Sequence, residues 1–148
     1  MADQQLRDSL AEMPSPELGP AAFTRPPSLS EAVVAIVTTA GLMRPGEKSW
    51  EGGDSSFRVF DRAERDLIVG HVSLNFDRTG VAADRNVFYP IDRLEEMAGE
   101  GVIGSVSRRH VSFMGALGDL STVITDSGPA AAKMLKDDGV DVVLLTPV

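Results

Sequence analysis

Along this chain, unbroken β-branched apolar runs alternate with stretches whose apolar positions recur every three or four residues, and Gly, Pro and Asp punctuate the changes. The first run, AVVAIVTTAG, lacks polar alternation and closes on Gly41, which predicts a strand buried on both faces, as in a parallel sheet covered by helices. The stretch LMRPGEKSWEGGDSSFRVF reads as a long loop leading into a short strand near Phe57 to Phe60, and DLIVGHVSLN predicts a strand from about Leu67 to Leu74. In YPIDRLEEMAGEG the apolar Ile91, Leu94, Met97 and Ala98 share one helical face, Pro90 stands near the start, acids fill the first turns, and Gly99 or Gly101 can stop the helix. VIGSVS predicts a short strand. A second helix is predicted with Ser127 as N-cap and Pro129 in its first turn, running through AAAKMLKDD to a left-handed cap at Gly139. VDVVLLTPV then reads as a buried strand.

Strand, helix and strand in this order are the grammar of an α/β fold: a mostly parallel sheet flanked by helices. A strand of consecutive Val and Leu normally feeds a crossover that covers it, so the domain is expected to be incomplete within these residues. In open parallel sheets the ligand crevice lies beyond the carboxyl ends of the strands, which for the last strand means Thr146 to Val148. Residues 1–30 hold five of the nine prolines (Pro14, Pro16, Pro20, Pro26, Pro27) and at most a helical patch from Leu6 to Met13. They read as an extended Pro-rich arm, docked or a plain tail, ahead of one α/β domain over 31–148.

Composition narrows the function more than the fold. At 148 residues, 43% hydrophobic and 24% charged, the chain has the make-up of one globular domain. Its longest apolar runs fall far short of the roughly 20 residues that span a bilayer, so no membrane partner is expected. MADQQLRDSLAEM has no basic region followed by an apolar one, and a cytoplasmic location is the expectation. A net charge of -8, with SRRH as the densest basic spot, argues against nucleic acid. No cysteine occurs, which removes disulfides, thiolate metal sites and thiol nucleophiles.

Four stretches carry candidate chemistry. TTAG (38–41) ends a strand and offers either N–H groups to an anion or a simple turn; it is no phosphate-loop motif. In GGDSSFR (52–58), Asp54 and Arg58 form either a ligand clamp, with Arg58 on a carboxylate, or an Asx turn beside an Arg paired with a neighbouring acid. HVSLNFDRTGVAADRNVFYP (71–90) concentrates His71, Asn75, Asp77, Asp84, Arg85 and Asn86, groups that either surround one concavity or cap a loop and the helix after it. A metal held by His71, Asp77 and Asp84 matches no ligand pattern, and no metal is expected. SRRHVSFMGAL (107–117) reads as a loop opened by His110, and HVS occurs at both histidines, which raises a shared pocket. A Ser-His-Asp hydrolase is disfavoured because no GxSxG elbow exists.

In order, VTTAG, GDSSFR, His71, the block DRNVFYPIDRLEEMAGEGVIGSVSRRHVSFMG and DGVDVVLLTPV resemble the selenoprotein B family of glycine, sarcosine, betaine and D-proline reductases over about Ala32 to Val148. The resemblance implies an α/β oxidoreductase that reductively cleaves a carbon–nitrogen bond of a small amine or amino acid. A selenolate or thiolate would attack the carbon, with a dithiol as electron source. Selenium suits this role because an ordinary thiol, with a pKa near 8.5, is mostly protonated at neutral pH. The family places its Cys or selenocysteine after the strand matching VVLLTPV, where no such residue stands here. The reactive atom is therefore expected from a carboxyl-terminal segment or a partner reductase subunit, with no cofactor in this chain, and one source of such an arrangement is a selenocysteine codon read as stop. Within that resemblance His71 and His110 are the candidate catalytic groups, and Asp54, Arg58, Asp84, Arg85 and Asn86 the candidate substrate-binding ones. A His would pass a proton to the leaving amine, and Arg58 or Arg85 would hold a carboxylate. The alternative is a non-catalytic ligand-binding or interaction module of the same fold; oligomerisation is left open.

Overall fold

The computed structural model describes residues 2–12, 19, 24–73 and 78–148. Helix α1 (Ala2–Ala11) opens the chain. It begins upstream of the predicted patch and overlaps it from Leu6 to Ala11; the patch's last residue, Met13, is outside the described residues with Pro14, Pro16 and Pro20. The strands that follow are β1 (Val33–Thr38), β2 (Leu42–Met43), β3 (Phe57–Asp61), β4 (Ile68–Val69), β5 (Ser105–Val106), β6 (Arg109–Phe113) and β7 (Val142–Thr146). The remaining helices are α2 (Arg78–Ala83), α3 (Ile91–Gly99) and α4 (Gly128–Asp137).

The sheet is mixed and mostly parallel, as an α/β layer requires. β1 is its centre: β7 runs parallel on one side, β5 and β6 parallel on the other, and β3 pairs antiparallel with β6. Alternation along β1 sends Val34 and Ile36 to one face, where they meet Phe60, Phe88, Tyr89 and the Ile91 and Leu94 stripe of α3. Ala35 faces the other way with Val111 and Phe113, against Ala131 and Leu135 of α4. Two apolar helix stripes, one on each face, therefore bury the central strands and explain their β-branched runs. The predicted stops also hold, with Gly101 and Gly139 at φ of +74° and +77° just beyond α3 and α4.

Four expectations need correction. The strand expected over Leu67 to Leu74, whose last residue lies outside the described residues, shrinks to β4, which pairs with β2 over two residues and ends where Gly70 donates its N–H to the Gly41 carbonyl at 2.8 Å. Ser127 is no N-cap: the chain is already helical there, at φ -67° and ψ -35°, with no side-chain cap bond. The helix is entered earlier, where Asp119 accepts the Ser121 N–H at 2.8 Å, and a π turn over Val123–Ser127 carries it into α4. Strand β7 is not buried; Leu144 and Leu145 are exposed because β1 is its one partner strand among the described residues. Finally, His110 does not open a loop but stands inside β6, wholly buried.

Candidate functional site

The carboxyl ends of β1, β6 and β7 converge, and backbone bonds lash them together. Gly41 donates to Phe113 and Gly115 to Thr39, each at 2.9 Å, while Thr39 donates to the Thr146 carbonyl at 3.3 Å. The Val148 N–H completes the knot on the Thr39 hydroxyl at 2.9 Å. Between these ends lies a cavity of about 250 Å³ lined by Thr39, Phe113, Met114, Gly115, Leu117 and Val148. Ala116, on its rim, sits at φ +57°, a left-handed conformation that costs a non-glycine residue about 1 kcal/mol or more and marks a constrained turn.

His71 packs behind this cavity. Its backbone lies against Gly41, whose φ of +62° suits glycine, and its Nε2 lies 2.7 Å from where a Cβ on Gly115 would stand. The Ser73 N–H donates to Nδ1 at 3.2 Å, so in the neutral ring the proton belongs on Nε2, the nitrogen nearest the cavity wall. Burial lowers the imidazole pKa, and the Arg78 guanidinium, which donates to the His71 carbonyl at 2.8 Å, lowers it further. His71 is thus a neutral ring able to hold a proton at one defined atom. Asn75 and Asp77, expected beside it, lie outside the described residues.

His110 serves a different purpose. Val33 and Val34 lie opposite Ser105 and Val106, 72 positions on, whereas Val37 and Thr38 lie opposite Val111 and Ser112, 74 positions on. Two extra residues are therefore accommodated between β5 and β6, and within that break the Ile36 N–H donates to His110 Nδ1 at 3.0 Å. The imidazole repairs a gap in the ladder. It meets Tyr89 edge to face at 5.7 Å between ring centres, and neither His110 Nε2 nor the Tyr89 hydroxyl has a hydrogen-bond partner among the described residues. Burial pushes the imidazole pKa down to about 4 and the phenol pKa up. His110 lies inside β6 and is not among the residues that line the cavity at the carboxyl ends, so the two histidines do not share it.

The other candidates fall into two groups. Asp54 accepts both the N–H and the hydroxyl of Ser56, at 3.0 and 2.6 Å, in an Asx turn; the Ser56 bonds lower its pKa, with a lesser contribution from Arg58. Arg58 reaches Glu47 at 3.2 Å and the Lys48 carbonyl at 2.6 Å, and lies 4.1 Å over the Trp50 ring. Asp84, Arg85 and Asn86 come together at the start of α3. Asp84 accepts from the Asn86 N–H and side-chain amide, each at 2.9 Å, and Arg85 grips Asp92 through bonds of 3.0 to 3.2 Å. Burial works to raise the Asp92 pKa, but its bonds to Arg85 and Asn86 outweigh that and hold it low. Asp92, missed in the sequence, is the hub of this cap; an acid in the first turn of a helix was its available signal. The loop Met114 to Leu117 fell within the candidate stretch 107–117, but there the sequence pointed to His110 and not to the apolar FMGAL end that walls the cavity.

Fold and site define an α/β layer with a small cavity at the carboxyl ends of its parallel strands. The chain belongs to the glycine/sarcosine/betaine reductase selenoprotein B family, whose profile matches residues 10–148. It is similar to the D-proline reductase subunit gamma of Acetoanaerobium sticklandii, 38% identical over 121 residues, covering 80% of this chain and 49% of that one. It is also similar to two proteins of Peptoclostridium acidaminophilum. These are the sarcosine reductase complex component B subunit beta, 28% identical over 80% of this chain and 28% of that one, and the betaine reductase complex component B subunit beta, 29% identical over 91% and 32%. The chain thus spans half or less of the length of these relatives. No solved structure matches it. Among the described residues no helix is long and apolar enough to cross a membrane.

Proposed function

We propose that this chain forms the substrate-cradling layer of an oxidoreductase component that reductively cleaves a carbon–nitrogen bond in a small amine or amino acid. The nucleophilic sulfur or selenium comes from a segment or subunit outside these 148 residues. Family membership supports the reaction class, and one structural observation carries the placement: Thr39, Gly115 and Val148 meet around a small apolar cavity with His71 Nε2 against its glycine wall.

The residues present fit a selenolate or thiolate arriving there. Phe113, Met114 and Leu117 give an apolar lining that strips water from an arriving selenolate or thiolate and so sharpens it as a nucleophile, and among the described residues no Asp or Glu side chain lines the cavity. Once in place, such a group supplies the electron pair that displaces the amine, and a dithiol is the two-electron donor. The work of this chain is to exclude water, to orient the substrate against Thr39 and Gly115, and to keep a proton at His71 Nε2 for the departing nitrogen. Arg58 and Arg85 are both engaged by carboxylates of this chain, so a substrate carboxylate would have to displace Glu47 or Asp92 to reach either.

Titration of D-proline, glycine, sarcosine and betaine into isotopically labelled protein tests the cradle, with the His71 ring and the Gly115 amide as reporters. Saturable shifts at both for at least one ligand are expected. No response at either to any of the four contradicts the placement.

A further inference from the structure

Strand β7 carries its apolar side chains to a surface that nothing among the described residues covers. It pairs in parallel with β1 over all five residues, from Val34 opposite Val142 to Thr38 opposite Thr146, and with no other strand among those described. Among the described residues its opposite backbone edge is therefore open. Val143 and Leu144 are 39% and 38% exposed and Leu145 is 68% exposed, so apolar groups emerge on both faces of this one strand. Beside it, on the α4 face, run two grooves of about 330 and 430 Å³. The first is floored by Val37, Ala131, Leu135, Val143 and Leu145, and the second adds Val140 with Thr24, Lys136 and Asp141 at its polar rim.

An open edge flanked by an apolar trough has the shape of a seat for one more strand and the helix that follows it. The edge provides ladder partners, and the trough provides a floor for an amphipathic stripe. Left bare, such an edge is an aggregation hazard that folded proteins cover or charge, yet VVLLT carries no charge at all. The relatives say what is available to cover it: the matched region accounts for 49%, 28% and 32% of their lengths, so each has at least as much chain again. We infer that the outer edge of β7 and the α4 trough dock a parallel β-strand and its helix from the part of a B-type reductase subunit that this chain does not span. The inference stands on sheet geometry and chain lengths, and it holds whether or not the cavity turns over amines.

The test uses the whole 148-residue protein and, as probe, the unmatched part of the Acetoanaerobium sticklandii D-proline reductase subunit gamma, co-expressed and co-purified. A stable one-to-one complex is expected, with amide exchange slowed at Val142 to Thr146. Leu145→Lys should weaken it at least tenfold while leaving the thermal midpoint of the isolated protein unchanged, since the side chain is already in water. Val87→Lys, at an exposed apolar residue outside the sheet, should leave the complex intact. Absence of a complex, or a complex indifferent to Leu145→Lys, overturns the inference. So does self-association of the isolated protein that Leu145→Lys abolishes, since a second copy would then own the edge.

Discussion

A Cβ placed on Gly115 would stand 2.7 Å from the Nε2 atom of His71, closer than such atoms approach. The glycine, which lines the cavity, therefore leaves the room that the imidazole occupies beside it. Gly115→Ala should push the ring aside, and a displacement near 1 Å is enough to cost about 100-fold in turnover when geometry governs the reaction. The measurement is kcat of a reductase reconstituted with a Cys- or selenocysteine-bearing component, beside a thermal melt. His71→Gln, which keeps size and polarity but not proton transfer, should lose about 100-fold or more while melting within a few degrees of the parent. Full turnover in either variant contradicts the role given to His71.

His110 predicts a pH signature. Folded, its pKa is near 4, whereas the ordinary value is 6.5, so between those limits the unfolded chain binds the extra proton. Stability is complete above about pH 6.5 and falls as pH drops toward 4, by up to about 1.4 kcal/mol per unit. His71, also lowered, adds in the same direction. Urea midpoints measured from pH 7.5 to 4.5 should show this slope. His110→Leu should flatten it and also lower stability at pH 7.5 by about 1–3 kcal/mol, because the Ile36 N–H loses its acceptor. An unchanged slope in the variant would place the proton elsewhere.

Arg58 tests the choice between clamp and brace. Its contacts with Glu47, the Lys48 carbonyl and the Trp50 face make it part of the loop wall. Arg58→Ala is expected to cost about 1–2 kcal/mol of stability, from the lost ion pair and ring contact, and to leave the half-saturating ligand concentration unchanged. A tenfold loss of affinity without loss of stability would instead make Arg58 a substrate ligand.

The elements that were legible in the sequence are those whose signal is local. The run Val33 to Thr38, the Ile91 and Leu94 stripe and the glycines at 101 and 139 each dictate their conformation through side-chain burial or backbone freedom. What was hidden depends on distant pairing. His110 looked like a loop residue because the RRH triplet is polar, yet a two-residue offset against β1 makes its imidazole an acceptor for a buried amide. Likewise the apolar β7 looked buried, since periodicity reports hydrophobicity and not whether a neighbour is present to cover it. For the site, His71 was visible as a titratable group among polar residues. Its packing against Gly41 and Gly115 was not, because those glycines lie 30 and 44 positions away and meet it only through the sheet.

The central claim is a division of labour: this polypeptide holds the substrate and a proton, and the nucleophile is brought to it. Anaerobic incubation of the purified 148-residue protein with dithiothreitol and each of D-proline, glycine, sarcosine and betaine, followed by amine and acid product analysis, tests it most directly. The account predicts no product from the protein alone and product on addition of a Cys- or selenocysteine-bearing component. Cleavage of any of the four by the protein alone would contradict it.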